Sequence, residues 1–163
     1  MSLSNASDLR PGRRRIHMSD PLVEVVHARG HENVTATHES TIELTTDDWL
    51  TPAGDCIVGV DADRTPREFA AAFRTACQDP AATIEATITV EGDDTHTETI
   101  VGRGDPDLAL VDDRSMVGRT SEYTDDERTL FVGADAAAAD LDRELVAALA
   151  DGAEVRLRLE VTE

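Results

Sequence analysis

Apolar residues recur at every second position over much of this chain and at helical spacing in two places. Leu22 to Arg29 reads as a strand, and Gly30 to Asn33 as a turn. Val34, Ala36, His38, Ser40, Ile42 and Leu44 then alternate with Thr35, Thr37, Glu39, Thr41, Glu43 and Thr45, predicting one long strand with a polar outer face. On that parity His38 points inward with Val34, Ala36 and Ile42. Pro52 and Gly54 mark a loop, and Cys56 to Val60 reads as a short buried strand. Thr65, Pro66 and Glu68 spell a helix start with a capping box, and Phe69, Phe73, Ala76 and Cys77 fall on one face of that helix. Ile84, Ala86, Ile88 and Val90 alternate in a strand, Gly92-Asp93-Asp94 signals a hairpin, and Thr95 to Gly104 returns. Further on come extended segments at Leu108 to Val111 and Met116 to Arg119, and a strand at Arg128 to Gly133. A helix is predicted from about Ala136 to Ala150, and Val155, Leu157, Leu159 and Val161 alternate in a last strand.

The plan repeats. A shift of 74 places pairs Arg29 with Arg103, Gly30 with Gly104, Thr46 with Thr120, Val58 with Val132, Gly59 with Gly133, Asp61 with Asp135 and Ala62 with Ala136. Trp49 falls on Tyr123; these rings read either as stacking surfaces for a base or ligand or, from their equivalent places, as sharing a packing role. Repetition at a fixed offset predicts two equivalent units, 22–91 and 96–161, each strand-strand-strand-helix-strand. The expected fold is α+β and β-rich: a sandwich-like or partly closed sheet with two helices, in a single domain over 21–163. Arg29-Gly30 with Asp61, repeated as Arg103-Gly104 with Asp135, reads either as a paired charged site or as a structural ion pair beside a glycine turn.

Composition narrows the setting. The chain has 163 residues, 34 acidic against 15 basic, and a formal net charge of −19; every basic residue is arginine. Aromatics make up 3%. No apolar run approaches the ~18–20 residues of a membrane span, and the first residues lack a secretory h-region. Two cysteines exclude a disulfide framework and a four-cysteine zinc site within one chain. A reduced, cytoplasmic protein is the expectation. Surplus acid, absent lysine and abundant alanine suit a halophilic cytosol, where a Debye length of ~3 Å at 1 M salt weakens the mutual repulsion of carboxylates. Residues 1–20 differ from the rest, with Arg10, Arg13, Arg14 and Arg15 and no periodic apolar pattern. They read as a disordered basic tail, or as an arm for nucleic acid.

Candidate chemistry collects in the first unit. It has His31, His38, Asp55 and Cys56 where the gapless shift gives the second unit Asp105, Asp112, Thr129 and Leu130. His31 and His38 with Asp55 can bind a divalent metal that activates water for hydrolysis. Alternatively His38 is a general base beside Asp55, with Arg29 holding an anionic oxygen. The competing reading makes His38 a histidine satisfied by the backbone, and gives His31 a place in a turn. Phosphate-binding glycine loops, serine nucleophile motifs and nucleotide fingerprints are absent.

His27-Ala28-Arg29-Gly30-His31, Asn33-Val34, Ala36-Thr37-His38, Thr41 and Glu43 form a distinctive run. With Leu50-Thr51-Pro52, Gly54-Asp55-Cys56-Ile57 and Gly59-Val60, it resembles an archaeal domain-of-unknown-function family, number 371. The resemblance spans about 22–162. It implies an archaeal setting and a β-rich fold, and brings no catalytic residues to carry over; one member bears an endonuclease label. Two functions stand: a non-catalytic module binding a small ligand or nucleic acid, and a metal-assisted hydrolase, such as an endonuclease, sited in the first unit.

Overall fold

The structure, a computed structural model, describes residues 22–163. The proposed basic tail lies outside the described residues. The strands are β1 (Leu22–Arg29), β2 (Thr41–Thr45), β3 (Ile57–Gly59), β4 (Thr83–Glu91), β5 (Thr95–Arg103), β6 (Ser115–Arg119), β7 (Thr129–Phe131) and β8 (Glu154–Thr162). Helix α1 (Ala71–Cys77) lies between β3 and β4, and α2 (Arg143–Ala150) between β7 and β8. The fold is α+β and β-rich. One sheet has the order β1-β8-β4-β5, the other β3-β2-β6-β7. Exchanging β1–β4 with β5–β8 reverses each order and leaves it unchanged. The first strand of each half therefore pairs with the last strand of the other: β1 with β8, and β5 with β4. Glu43 faces Val117 at the centre of the β2–β6 register.

The core lies between the sheets. Ile42, Leu44, Val58, Met116 and Leu130 of the smaller sheet and Ile84, Ile88, Ile100, Val155 and Leu157 of the larger are all buried. Burying a side chain of this size stabilises by roughly 1.5–3 kcal/mol. At one symmetric place the halves fill their space oppositely. Leu44 sits against Gly59 in the first, where a Cβ on the glycine would come within 2.6 Å of Leu44 Cδ2. In the second, Phe131 sits against Gly118, where a Cβ would come within 2.3 Å of the ring. The large side chain stands on β2 in one place and on β7 in the other, with the glycine on the strand beside it.

Each predicted helix is divided. A 3-10 turn at Pro66–Glu68 precedes α1, and one at Ala138–Asp140 precedes α2. Between turn and helix, Phe69 and Leu141 are extended (ψ 152 and 145) and bury their side chains. The helix start is then capped from another strand: Glu24 Oε2 accepts from the Ala70 amide at 2.7 Å, and Glu98 Oε2 from the Asp142 amide at 2.5 Å. A carboxylate there satisfies an orphan amide and opposes the helix dipole.

The long strand predicted from Val34 shortens to Thr41–Thr45. Ala36 adopts φ 50, and Leu110, its counterpart in the second half, φ 54. A left-handed residue ends any ladder, so the alternation upstream of Thr41 belongs to a loop and the parity argument for His38 fails. Ala36 and Leu110 are both fully buried, so packing holds a strained backbone.

Candidate functional site

Loop contacts fix which residues correspond. The Asp55 carbonyl accepts from the Thr37 and His38 amides at 3.0 and 3.2 Å; the Glu127 carbonyl accepts from Val111 and Asp112 at 3.1 and 3.0 Å. Asp55 thus corresponds to Glu127 and Cys56 to Arg128, not to Thr129 and Leu130. Loop 120–128 is two residues shorter than loop 46–56, and everything after it moves by two places. Asp61 corresponds to Gly133, both left-handed at φ 57 and 59. Asp63 corresponds to Asp135: each carboxylate accepts a strand amide, from His27 at 2.9 Å and Val101 at 3.0 Å. The repeated Arg–Asp pair is therefore not repeated. Arg29 Nε holds Asp61 at 2.7 Å, whereas Arg103 reaches Glu122 at 2.8 Å. The glycines beside them are structural. A Cβ on Gly30 would strike the Leu149 carbonyl at 1.9 Å, and one on Gly104 the Cys77 and Asp79 carbonyls at 2.3 Å.

The two histidines sit in matching turns. His31 Nδ1 accepts from the Asn33 amide at 3.0 Å, as the Asp105 carboxylate accepts from Asp107 at 2.9 Å. His38 Nδ1 accepts from the Ser40 and Thr41 amides at 3.2 and 3.1 Å. The Asp112 carboxylate accepts from the Arg114 and Ser115 amides at 3.0 and 2.8 Å. In each case an imidazole nitrogen does the work of a turn-forming carboxylate. A neutral ring accepting at Nδ1 carries its proton on Nε2, which then has no lone pair for a metal. The structure joins His38 and Asp55 only through the backbone. Among the described residues, no three His, Cys, Asp or Glu side chains gather to hold a metal ion.

Buried polar side chains concentrate elsewhere. Glu43, Thr45, Ser115 and Thr129 are buried on the outer face of the smaller sheet. Loop 46–56 covers part of this face, tied down by Asn33 Nδ2 on the Leu50 carbonyl at 2.7 Å. A cleft of about 270 Å³ remains, lined by Glu43, Thr45, Asp47, Trp49, Ser115, Arg114 and Arg128, with apolar contributions from Leu50 and Ile57. Trp49 is 56% exposed, and Tyr123 is 49% exposed, stacked beneath the Arg119 guanidinium at 4.8 Å; neither ring packs in the core.

Every charge in the cleft has a partner. Glu43, only 8% exposed, accepts from Arg128 Nη1 at 3.0 Å on Oε2 and from the Cys56 thiol at 3.2 Å on Oε1. Arg114 binds both Asp47 oxygens, the shortest contact being 2.7 Å. That guanidinium holds the Asp47 carboxyl below the ordinary carboxylate value, and Asp47 in turn pushes Arg114 up. Burial first, and then the charge of Glu43, push the Cys56 thiol up to about 11, so it remains a neutral donor at pH 7 rather than a nucleophile. Cys77 is pushed by burial to about 12 and belongs to the core.

Sequence pattern hid this cleft. Glu43 alternates like a solvent-facing strand residue, and nothing local announces the loop above it. The available signal is the contrast at a shift of 74 places, where Val117 stands opposite Glu43 in the β2–β6 ladder.

A family described as Domain of unknown function (DUF371) matches residues 26–162. The chain is 40% identical over 135 residues to the Uncharacterized protein MJ0206 of Methanocaldococcus jannaschii, an overlap covering 83% of this chain and 96% of that protein.

Proposed function

We propose that this chain, which belongs to the DUF371 family, is a non-catalytic module that binds a small ligand in the cleft over the outer face of the smaller sheet. The observation that carries the reading is Glu43: a charged residue 8% exposed, at the centre of the strand pairing that joins the halves, beside a half-exposed tryptophan. Even a paired buried charge is often no more stabilising than a hydrophobic residue of similar size, so the fold alone does not call for one here. Val117 occupies the corresponding place in the second half. A pocket with an aromatic wall and a few placed polar groups is the common form of a small-ligand site.

His31 and His38 enter this reading as turn residues. Their acceptor bonds to backbone amides speak for it and against a hydrolase built on His31, His38 and Asp55 with Arg29 as anion holder. Trp49 is the sole tryptophan, so its fluorescence reports on the cleft without a label. Titration with a panel of small metabolites should shift that emission for a subset of compounds and raise the melting temperature with the same subset. Failure of every compound to move either signal would refute the reading. So would metal-dependent hydrolysis that is lost in His38→Ala and kept in Arg128→Ala.

A further inference from the structure

The unspent hydrogen-bonding capacity of the cleft points to the chemical class of what enters it. This inference rests on the cleft being the ligand site. Both oxygens of Glu43 and both of Asp47 already hold a donor. The guanidinium groups do not match them. Arg114 uses Nε and Nη2, and Nη1 makes no hydrogen bond among the described residues. Arg128 uses Nη1 on Glu43 and Ser115, its Nε stands 3.8 Å from Asp126 Oδ2, and Nη2 makes no hydrogen bond among the described residues. The Arg114 side chain is 61% exposed and that of Arg128 40%. What the cleft lacks is therefore an acceptor, and two guanidinium groups favour an oxyanion. Trp49 adds a flat apolar face, on which a planar ring stacks and gains dispersion contacts. A cleft of about 270 Å³ has room for a planar ring with its substituent.

We propose that the cleft binds a planar ring bearing an oxyanion, either a phosphate ester or a carboxylate, with the ring on Trp49 and the anion between Arg114 and Arg128. Glu43 is a positioning residue. It fixes Arg128 through Nη1 and leaves Nη2 for the ligand.

The test is calorimetry with five probes: adenosine 5′-monophosphate, indole-3-carboxylate, adenosine, inorganic phosphate and tryptamine. The inference expects the monophosphate, the carboxylate or both to bind at least tenfold more tightly than adenosine, phosphate or tryptamine. Whichever of the two is preferred identifies the source of the oxyanion. Arg128→Ala should weaken that binding ~10–100-fold, the range for a hydrogen bond to a charged group, and Arg128→Lys less. Trp49→Leu should weaken it while leaving the melting temperature unchanged, since the ring is exposed. Should tryptamine or adenosine bind as well as the anions, the oxyanion inference falls and the cleft remains a ligand site. If no probe binds and Trp49 emission is silent across the wider metabolite panel, both fall. Circular dichroism of Arg128→Ala separates lost binding from lost fold, and an equal loss in the folded lysine variant would overturn the role given to the guanidinium.

Discussion

His38 shows how one atom can decide between two accounts of a residue. Its Nδ1 carries the amides of Ser40 and Thr41, the task Asp112 performs in the other half. His38→Asp should therefore keep the stability of the parent, whereas His38→Ala should lose about 1 kcal/mol, the cost of a missing turn or cap acceptor. Urea denaturation of the two variants measures this, and equal losses would contradict the account. Asp47 gives a pH-dependent counterpart. Arg114 depresses its folded pKa, so the folded state stays ionised where the unfolded chain takes up a proton. The stabilisation is complete above the ordinary value of 3.8 and is lost as the pH falls through the depressed value. Asp126 behaves alike: burial pulls its carboxyl upward, but hydrogen bonds from Thr129 and Arg119 outweigh it and hold it low. Melting temperature should fall as the pH drops below about 4, and Asp47→Asn should flatten that fall.

At the scale of elements, the strands were legible where alternation continues to the end of a ladder. Leu22–Arg29, Thr83–Glu91, Thr95–Arg103 and Glu154–Thr162 lie where the pattern puts them. Alternation misleads over 34–40, because Ala36 takes a backbone conformation that no side-chain pattern encodes. The capping signals at Thr65 and Glu68 are real, with Glu68 Oε1 accepting from the Thr65 amide at 2.9 Å, but they start a 3-10 turn rather than the helix itself. The helix start depends on a glutamate 46 residues away in sequence, beyond the reach of local pattern. The candidate cleft was illegible for the same reason, since a loop covers Glu43. The two capping glutamates differ in surroundings, and so should their loss. Glu24 also pairs with Arg64 at 2.7 Å and is 7% exposed, so Glu24→Ala removes both an amide acceptor and an ion-pair partner and should cost about 2 kcal/mol. Glu98→Ala should cost about 1 kcal/mol, because the Asp142 side chain still caps Glu144 at 2.8 Å. Chemical denaturation of both variants gives the comparison, and a reversed order would contradict the capping argument.

For the whole molecule, charge and pairing act together. A net charge of −19 on 163 residues repels itself at every distance that salt does not screen. Among the described residues, pairs exposed on both sides, such as Arg67–Asp113 and Arg29–Asp61, contribute little against it. Circular dichroism should therefore show the fold lost on dilution from multi-molar to millimolar salt. An unchanged spectrum would show that the core alone suffices. The strand exchange between halves has another consequence, for how the protein is made. A ribosome delivers β1 and β4 well before β8, the strand that lies between them and pairs with both. Until the nine residues of that strand emerge, the nascent chain exposes strand edges it cannot close by itself. Folding of this domain should thus wait on β8, and a chain cut anywhere between β5 and Glu154 should give an aggregating fragment instead of a smaller folded one.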